Sequence, residues 1–211
     1  MTGPWASVPV LSGRHVRLEP LRQDHAAGLR AATDEALAAC WYTSVPPPDA
    51  VGDYVAAALR KQAGGDSMAF AVLDADGVPC GSTRFYDMDP TVPRLQIGYT
   101  WYARRVQRTG LNTEAKRLLL GHAFETLGCV AVGFQTSWFN HASRNAIERL
   151  GAKCDGVIRN HLRHADGSLR DTVTYSIIDS EWPAVRRHLE GKLAERGTVG
   201  VVKVQQHPEA L

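Results

Sequence analysis

The run Gln107-Arg108-Thr109-Gly110-Leu111-Asn112-Thr113-Glu114 holds the ingredients of an anion site. It joins a strand-like stretch to a helix-like one. Backbone N–H groups without carbonyl partners therefore cluster at the first helical turn, beside the positive end of the helix. Gly110 has no Cβ to hold a phosphate away from the backbone, and Arg104, Arg105 and Arg108 add positive charge nearby. An ordinary helix start flanked by solvated arginines would use the same residues, and the spacing differs from the glycine-lysine phosphate loop of nucleotide hydrolases. The residues point to an anion without naming it.

A second polar pair, Asn140 and Ser143, sits where another helix begins. Asn140 suits the position that caps it. Ser143 lies on the same helical side as Ile147 and Leu150, so its hydroxyl should face inward from a positively biased helix end. Reinforcing the cap is the simpler role for Ser143. Proton acceptors are harder to assign: Asp87, Glu114 and His161 are the candidates, each more at home in a solvated or structural role. Cys40, Cys80, Cys129 and Cys154 are too widely spaced for a zinc knuckle or a redox dithiol, so they read as free thiols and no metal is expected. Cys129 opens an apolar run and Cys154 follows a helix stop, and packing explains both more simply than covalent catalysis.

The segments that position these groups alternate between strand and helix periods. Residues 15–19 alternate polar and apolar before Pro20 and read as a first strand. Residues 24–33 follow as an Ala- and Leu-rich helix capped by Asp24, and Pro46-Pro47-Pro48-Asp49 breaks the chain before a second helix. Trp41 and Tyr42 fall in the connection, where aromatics either plug a core or line an acceptor pocket. Strands over 68–73 and 81–85 form a hairpin across Asp74-Ala75-Asp76-Gly77, and 95–102 alternates as a half-buried strand in which Gly98 allows a bulge or a close ligand approach. A helix over 113–127 carries Leu118, Leu119, Ala123, Phe124 and Leu127 at helical spacing and stops at Gly128. A buried strand over 129–134 precedes a helix over 140–150 ended by Gly151. A hairpin of 157–164 and 168–178 with a two-residue turn at Asp166-Gly167 comes next, then a helix over 182–196. The order is mixed α/β, with antiparallel hairpins around a central strand-helix unit.

From residue 11 to residue 189 the sequence resembles the GNAT superfamily of N-acetyltransferases, and within it the RimJ/RimL-type branch of ribosomal-protein N-terminal acetyltransferases. The resemblance rests on Val16-Arg17-Leu18-Glu19-Pro20, Ile97-Gly98-Tyr99, Gln107-x-x-Gly110-x-Asn112 followed by Thr113-Glu114-Ala115, and Asn140-x-x-Ser143 leading to Leu150-Gly151-Ala152. The superfamily's pyrophosphate motif runs Gln or Arg, two residues, Gly, one residue, then Gly or Ala. Gln107 and Gly110 match it, Asn112 departs from it, and Arg108 stands where the branch often has glycine.

This resemblance implies an α/β (α+β) fold: a mixed, mostly antiparallel central sheet flanked by helices, with a splayed central pair of parallel strands over 95–102 and 129–136. It implies acetyl-CoA as cosubstrate, held by Tyr99, Trp101, Gln107, Arg108, Thr109, Gly110, Leu111, Asn112, Thr113, Asn140 and Ser143, with the pantetheine arm adding to the splayed strands as a further strand would. The tyrosine that many members carry as acid seven residues after the asparagine is here Ile147, and the resemblance to the RimJ/RimL-type branch, where a serine at this place meets the leaving thiolate, implies that role for Ser143. Trp41, Tyr42, Tyr86 and Gln96 are the expected acceptor-binding residues. Gln96 stands where many relatives have a glutamate, and a neutral amide takes no proton. The implied reaction is acetyl transfer to a primary amine, such as a protein or peptide N-terminus, by direct attack in a ternary complex. A small-molecule amine is the alternative acceptor, and a noncatalytic acyl-CoA sensor or interaction module is the alternative function.

Bulk properties fit this reading. A chain of 211 residues suits one domain, expected over 1–197, with 198–211 as a weakly patterned tail. No apolar run approaches the roughly 20 residues that span a bilayer, and residues 1–11 lack the pattern of a secretion signal, so the cytoplasm is the default location. A formal charge of +2 gives little attraction for a nucleic-acid backbone. Neither nucleic acid nor membrane is an expected partner; related proteins often pair, so a homodimer stands beside a monomer.

Overall fold

The alternating segments pair into one eight-stranded sheet. The computed structural model describes residues 3–43 and 45–198, and the expected tail lies, apart from Thr198, outside the described residues. In chain order the elements are β1 (Leu11–Ser12), β2 (Val16–Pro20), α1 (Ala26–Ala32), α2 (Glu35–Ala38), α3 (Val51–Ala63), β3 (Met68–Asp74), β4 (Pro79–Asp89), β5 (Arg94–Tyr102), α4 (Leu111–Gly121), β6 (Ala131–Ser137), α5 (His141–Glu148), β7 (Lys153–Arg163), β8 (Leu169–Ile178) and α6 (Trp182–Thr198). The strands lie side by side as β1-β2-β3-β4-β5-β6-β8-β7. Every neighbouring pair is antiparallel except β5 with β6, which α4 joins as the crossover that a parallel pair requires.

Hydrophobic faces decide which side each helix takes. On one side, Leu111, Ala115, Leu119 and Leu120 of α4, Ile147 of α5 and Trp182, Val185 and Leu189 of α6 pack with Phe70, Phe85, Val132, Phe134 and Ile177 of the sheet. On the other side, Leu29 of α1 and Val51, Val55 and Ala58 of α3 cover Ala69, Ala71, Leu73 and Trp101. The sheet is therefore the middle of three layers, and β3 and β5 at its centre alternate their side chains between the two cores.

Several expected boundaries move, each for a local reason. Asp24 does not cap α1; it lies inside a short 3-10 turn, Gln23–His25, whose cap position is Arg22. The helix expected over 113–127 stays α-helical only through Gly121 and widens into a π-helical turn over His122–Thr126, closed by Leu127 N–H on the His122 carbonyl. The β7–β8 turn is longer than two residues, since the His164 N–H closes on the Ser168 carbonyl around 165–167. Asp166 Oδ1 accepts from the Ser168 N–H there, and Gly167 takes φ 84. Strand β1 lies outside the expected strands and β4 extends past 81–85 at both ends, because pairing rather than pattern sets where a ladder ends.

Candidate active site

The first turn of α4 is built to leave donors open. The first helical bond runs from the Glu114 N–H to the Gly110 carbonyl (3.0 Å), and the Leu111 N–H is taken by Thr109 Oγ1 (3.2 Å). The N–H groups of Gly110, Asn112 and Thr113 donate to no carbonyl or side chain among the described residues. Three donors thus converge at the positive helix end, the arrangement that binds phosphate. Gln107 turns its Nε2 back onto the Tyr102 carbonyl (2.9 Å) and braces the loop, while Arg108 is exposed. Thr113 is buried and accepts from Arg149 of the α5 end (3.0 Å). Leu111 is a core residue, and Asn112 buries an Oδ1 that has no partner.

Two expectations about this loop are corrected. Gly110 has φ −70, a conformation open to any residue, and its missing Cβ faces inward, 3.3 Å from the His15 ring. A Cβ there would press on the His15 ring, so packing on that inner side favours glycine. The left-handed position is Arg108, at φ 61. Glu114, a candidate base, is committed elsewhere: its carboxylate accepts from the Arg14 and His15 N–H groups and pins the β1–β2 turn.

Next to this helix start the sheet forks. β5 and β6 pair only from Arg94↔Ala131 to Gln96↔Gly133, and beyond those residues the two strands part. At the fork Gln96 lays its amide across Gly133, where a Cβ would sit 2.5 Å from Oε1, and that Oε1 is buried without a partner. Past the fork β5 bulges: its register with β4 shifts between Ser82 and Arg84, and Tyr99 takes φ 52. A bulky aromatic residue in the left-handed region is strained and marks a site where backbone direction matters. The inner edges of the splayed strands offer each other no hydrogen bonds, so an extended amide-bearing ligand can supply them.

Residues 15–153 match the family described as Acetyltransferase (GNAT) domain. The chain belongs to the GNAT acetyltransferase family. It is 34% identical over 107 residues to YdaF of Bacillus subtilis (strain 168), a protein named as a candidate ribosomal N-acetyltransferase. That match covers 51% of this chain and 57% of YdaF, so the chain spans little more than half the length of this curated relative. A GCN5-related N-acetyltransferase from Brucella melitensis superposes with a TM-score of 0.82 at 31% identity, over 90% of this chain and 87% of that one. RimJ of Mycobacterium smegmatis, solved with a CoA disulfide, shares the fold with a TM-score of 0.73 at 20% identity over 90% and 94% of the two chains.

In this GNAT chain α5 opens with Asn140, whose Oδ1 accepts from the Ser143 N–H (3.0 Å). Asn140 therefore caps the helix by itself. The Ser143 hydroxyl is left half-buried, with no hydrogen-bond partner among the described residues. Deeper on the same helix, Tyr175 donates to Glu148 (2.7 Å) and accepts from Arg144 (3.3 Å), a network that fixes the α5–β8 contact. The thiols of Cys80 and Cys129 are pushed up to about 12 by burial, which keeps both in the unreactive form.

The expected acceptor residues fall into two groups. Tyr86 and Gln96 are register partners on the α3 side of the sheet, and the Tyr86 ring meets Tyr99 edge-on at 5.2 Å. Burial raises the Tyr86 phenol well above its ordinary value, so it stays protonated. Trp41 instead joins Tyr42, Phe139 and His164, tying the connection after α2 to the β6–α5 and β7–β8 loops. Trp101 turns its ring into the α3 core at 5% exposure, so only its backbone faces the fork. Asp87 and His161, the other candidate bases, are exposed.

Two buried cations escaped the sequence reading. Arg84 of β4 stacks between the rings of Tyr54 (4.7 Å) and Tyr99 (4.5 Å). Lys116 of α4 is buried on the opposite side and donates to Thr100 Oγ1 (2.7 Å) and Thr83 Oγ1 (3.4 Å), with burial lowering its pKa to about 7. A signal existed for each. Arg84 shares the alternate-residue face of Ser82 and Tyr86 within an otherwise buried strand, and Lys116 lies on the inward stripe with Leu119, Leu120 and Ala123.

Proposed function

We propose that this chain is an acetyl-CoA-dependent N-acetyltransferase acting on a primary amine of a protein or peptide N-terminus. The fork between β5 and β6, with the open donors of α4 at its mouth, is the observation that carries this reading. The cradle fits the coenzyme: three backbone donors at a positive helix end suit a diphosphate, and two unpaired strand edges suit an arm that carries amides. Acetyl-CoA supplies an acyl group activated as a thioester. The amides of Gly110, Asn112 and Thr113 hold its diphosphate, with Gln107, Arg108 and Thr109 shaping the loop. The backbone from Tyr99 to Trp101 aligns the arm, and Asn140 fixes the start of α5 beside it.

The amine would attack the thioester carbonyl carbon and the carbon–sulfur bond would break, with the Ser143 hydroxyl stabilising the departing thiolate and passing it a proton that it regains from water. No carboxylate or histidine takes the amine's proton on the Tyr86–Gln96 face among the described residues. An α-amine, whose ordinary pKa is about 7.7–8.0, enters partly neutral and passes its proton to water. A protein acceptor is further supported by the name of YdaF, a candidate ribosomal N-acetyltransferase.

The test is incubation with acetyl-CoA and a panel of peptides and small amines, following thiol release and acetylated product by mass spectrometry. Acetylated peptide α-amines are the expected result. CoA binding that raises the melting temperature, with no product across the panel, would refute catalysis and leave a sensor.

A further inference from the structure

Arg84 borders the fork on the side away from α4, Arg170 of β8 lies near the same tyrosines, and neither forms an ion pair among the described residues. Arg84 is 4% exposed, lies in register with Gly98 at the bulge, and has a buried Nε with no hydrogen-bond partner. Arg170 of β8 also buries an unpartnered Nε, and Tyr86 and Tyr99 are the groups it senses electrostatically. The Lys61 ammonium stands 5.8 Å from the centroid of the same Tyr99 ring. Among the described residues none of these three cations forms an ion pair, and the nearby carboxylate, Asp87, is exposed.

A guanidinium withdrawn from water loses hydration that stacked rings replace only in part, so a buried arginine usually faces a carboxylate. Here the sheet holds Arg84 between two tyrosine faces and leaves its N–H edge without an acceptor. A planar fork of donors in that state matches a carboxylate in geometry and in charge. The subsite adjoins Tyr99, the strained residue where β5 leaves β6, so an anion bound there lies close to the acyl-transfer point. Positive charge without a counter-ion also disfavours polycationic acceptors.

We propose that Arg84 and Arg170 form a carboxylate-binding acceptor subsite, so that the preferred substrates are peptides whose first or second residue is acidic. This rests on the reading above, in which the amine approaches on this face. Free glutamate offers the same group, and a separate arm of the experiment tests it.

The experiment compares matched peptides that differ only by Glu against Gln at the first or second residue, with free glutamate alongside. It measures kcat/KM with acetyl-CoA, and binding by calorimetry in the presence of CoA. Wild type should favour the Glu member of a pair by about tenfold to a hundredfold, the worth of a charge-assisted hydrogen bond. Arg84→Gln should bring that ratio to about one while retaining turnover of the Gln peptide, and Arg170→Gln should lower it independently. A purely structural arginine would depress both peptides alike and keep the ratio. Equal kcat/KM within each pair in wild type overturns the subsite and leaves the acetyltransferase reading intact. Turnover of no peptide overturns that reading, and the calorimetric preference then decides the subsite alone: present and lost in Arg84→Gln, it stands; absent, it falls. Free glutamate acetylated ahead of every peptide overturns the assignment to peptides. Arg170 lies nearer the outer hairpin, so Arg170→Gln carries the comparison if Arg84→Gln does not fold.

Discussion

Replacing Lys116 with methionine should stabilise the fold, and by an amount that depends on pH. The Lys116 ammonium sits in the core at 6% exposure, with two threonine hydroxyls as acceptors and no carboxylate bonded to it. Burial takes its pKa from the ordinary 10.5 down to about 7. Between those values the unfolded chain keeps a proton that the native state has released, so stability rises with pH across the window. Below it both states are protonated, and burying the charge costs about 4–5 kcal/mol. A methionine side chain would fill the volume of the lysine stem without a charge, while Thr83 and Thr100 keep each other as partners at 2.8 Å. The advantage of Lys116→Met should therefore be largest near about pH 6 and shrink by about 3 kcal/mol on going to about pH 9. Urea denaturation of both proteins across that range measures the difference directly. A difference independent of pH, or a variant less stable at the acid end, would refute a desolvated, largely neutral lysine.

Three further outcomes follow from individual contacts. Ser143→Ala should lower kcat by about a hundredfold with CoA affinity and melting temperature nearly unchanged, because Asn140 already caps α5; stopped-flow turnover and calorimetry separate the two. Gly81→Ala should destabilise by about 3 kcal/mol, since the added Cβ would collide with the Trp101 backbone carbonyl in the neighbouring strand; a thermal melt within a degree or so of wild type would contradict the register. Glu114→Gln should cost about 1–2 kcal/mol by weakening the charge-assisted bonds to Arg14 and His15, with the pH–rate profile unmoved; loss of its alkaline or acid limb would instead make Glu114 a participant in proton transfer.

Local patterns exposed the elements better than their ends, and the site better than its reasons. Alternation located β5, and helical spacing located α4, because each strand or helix buries a definite face. The same signals could not show that α4 gives way to a π-helical turn at His122, which depends on how Ala123 and Leu127 seat on the sheet. Gly110 was legible as special, but only the fold reveals that the His15 ring, about a hundred residues earlier in the chain, crowds the position a Cβ would take there. Glu114 read as a candidate base because sequence does not show that the β1–β2 turn comes to rest against its carboxylate. Arg84 and Lys116 were passed over since a charged residue on an inward face is discounted until its partners are known.

Those two residues also explain how the strand holds its bulge. Tyr99 at φ 52 carries a backbone cost of about 1–3 kcal/mol, and such a conformation persists only where its surroundings over-determine it. From the α4 side Lys116 gathers Thr83 and Thr100, whose hydroxyls both approach the Gly98 carbonyl (3.5 and 3.4 Å). From the α3 side Arg84 and Tyr86 pack on the Tyr99 ring, and the Tyr54 hydroxyl donates to its carbonyl (3.5 Å). The bulge is thus clamped by one basic side chain on each side of the sheet, one buried against two threonine hydroxyls and one stacked between rings. Relaxing the α4-side clamp should let β5 shift toward β6 and narrow the fork, so Lys116→Met should gain stability while raising the KM for acetyl-CoA. Gain in stability with an unchanged KM would show that the α3-side clamp suffices to hold the strand open.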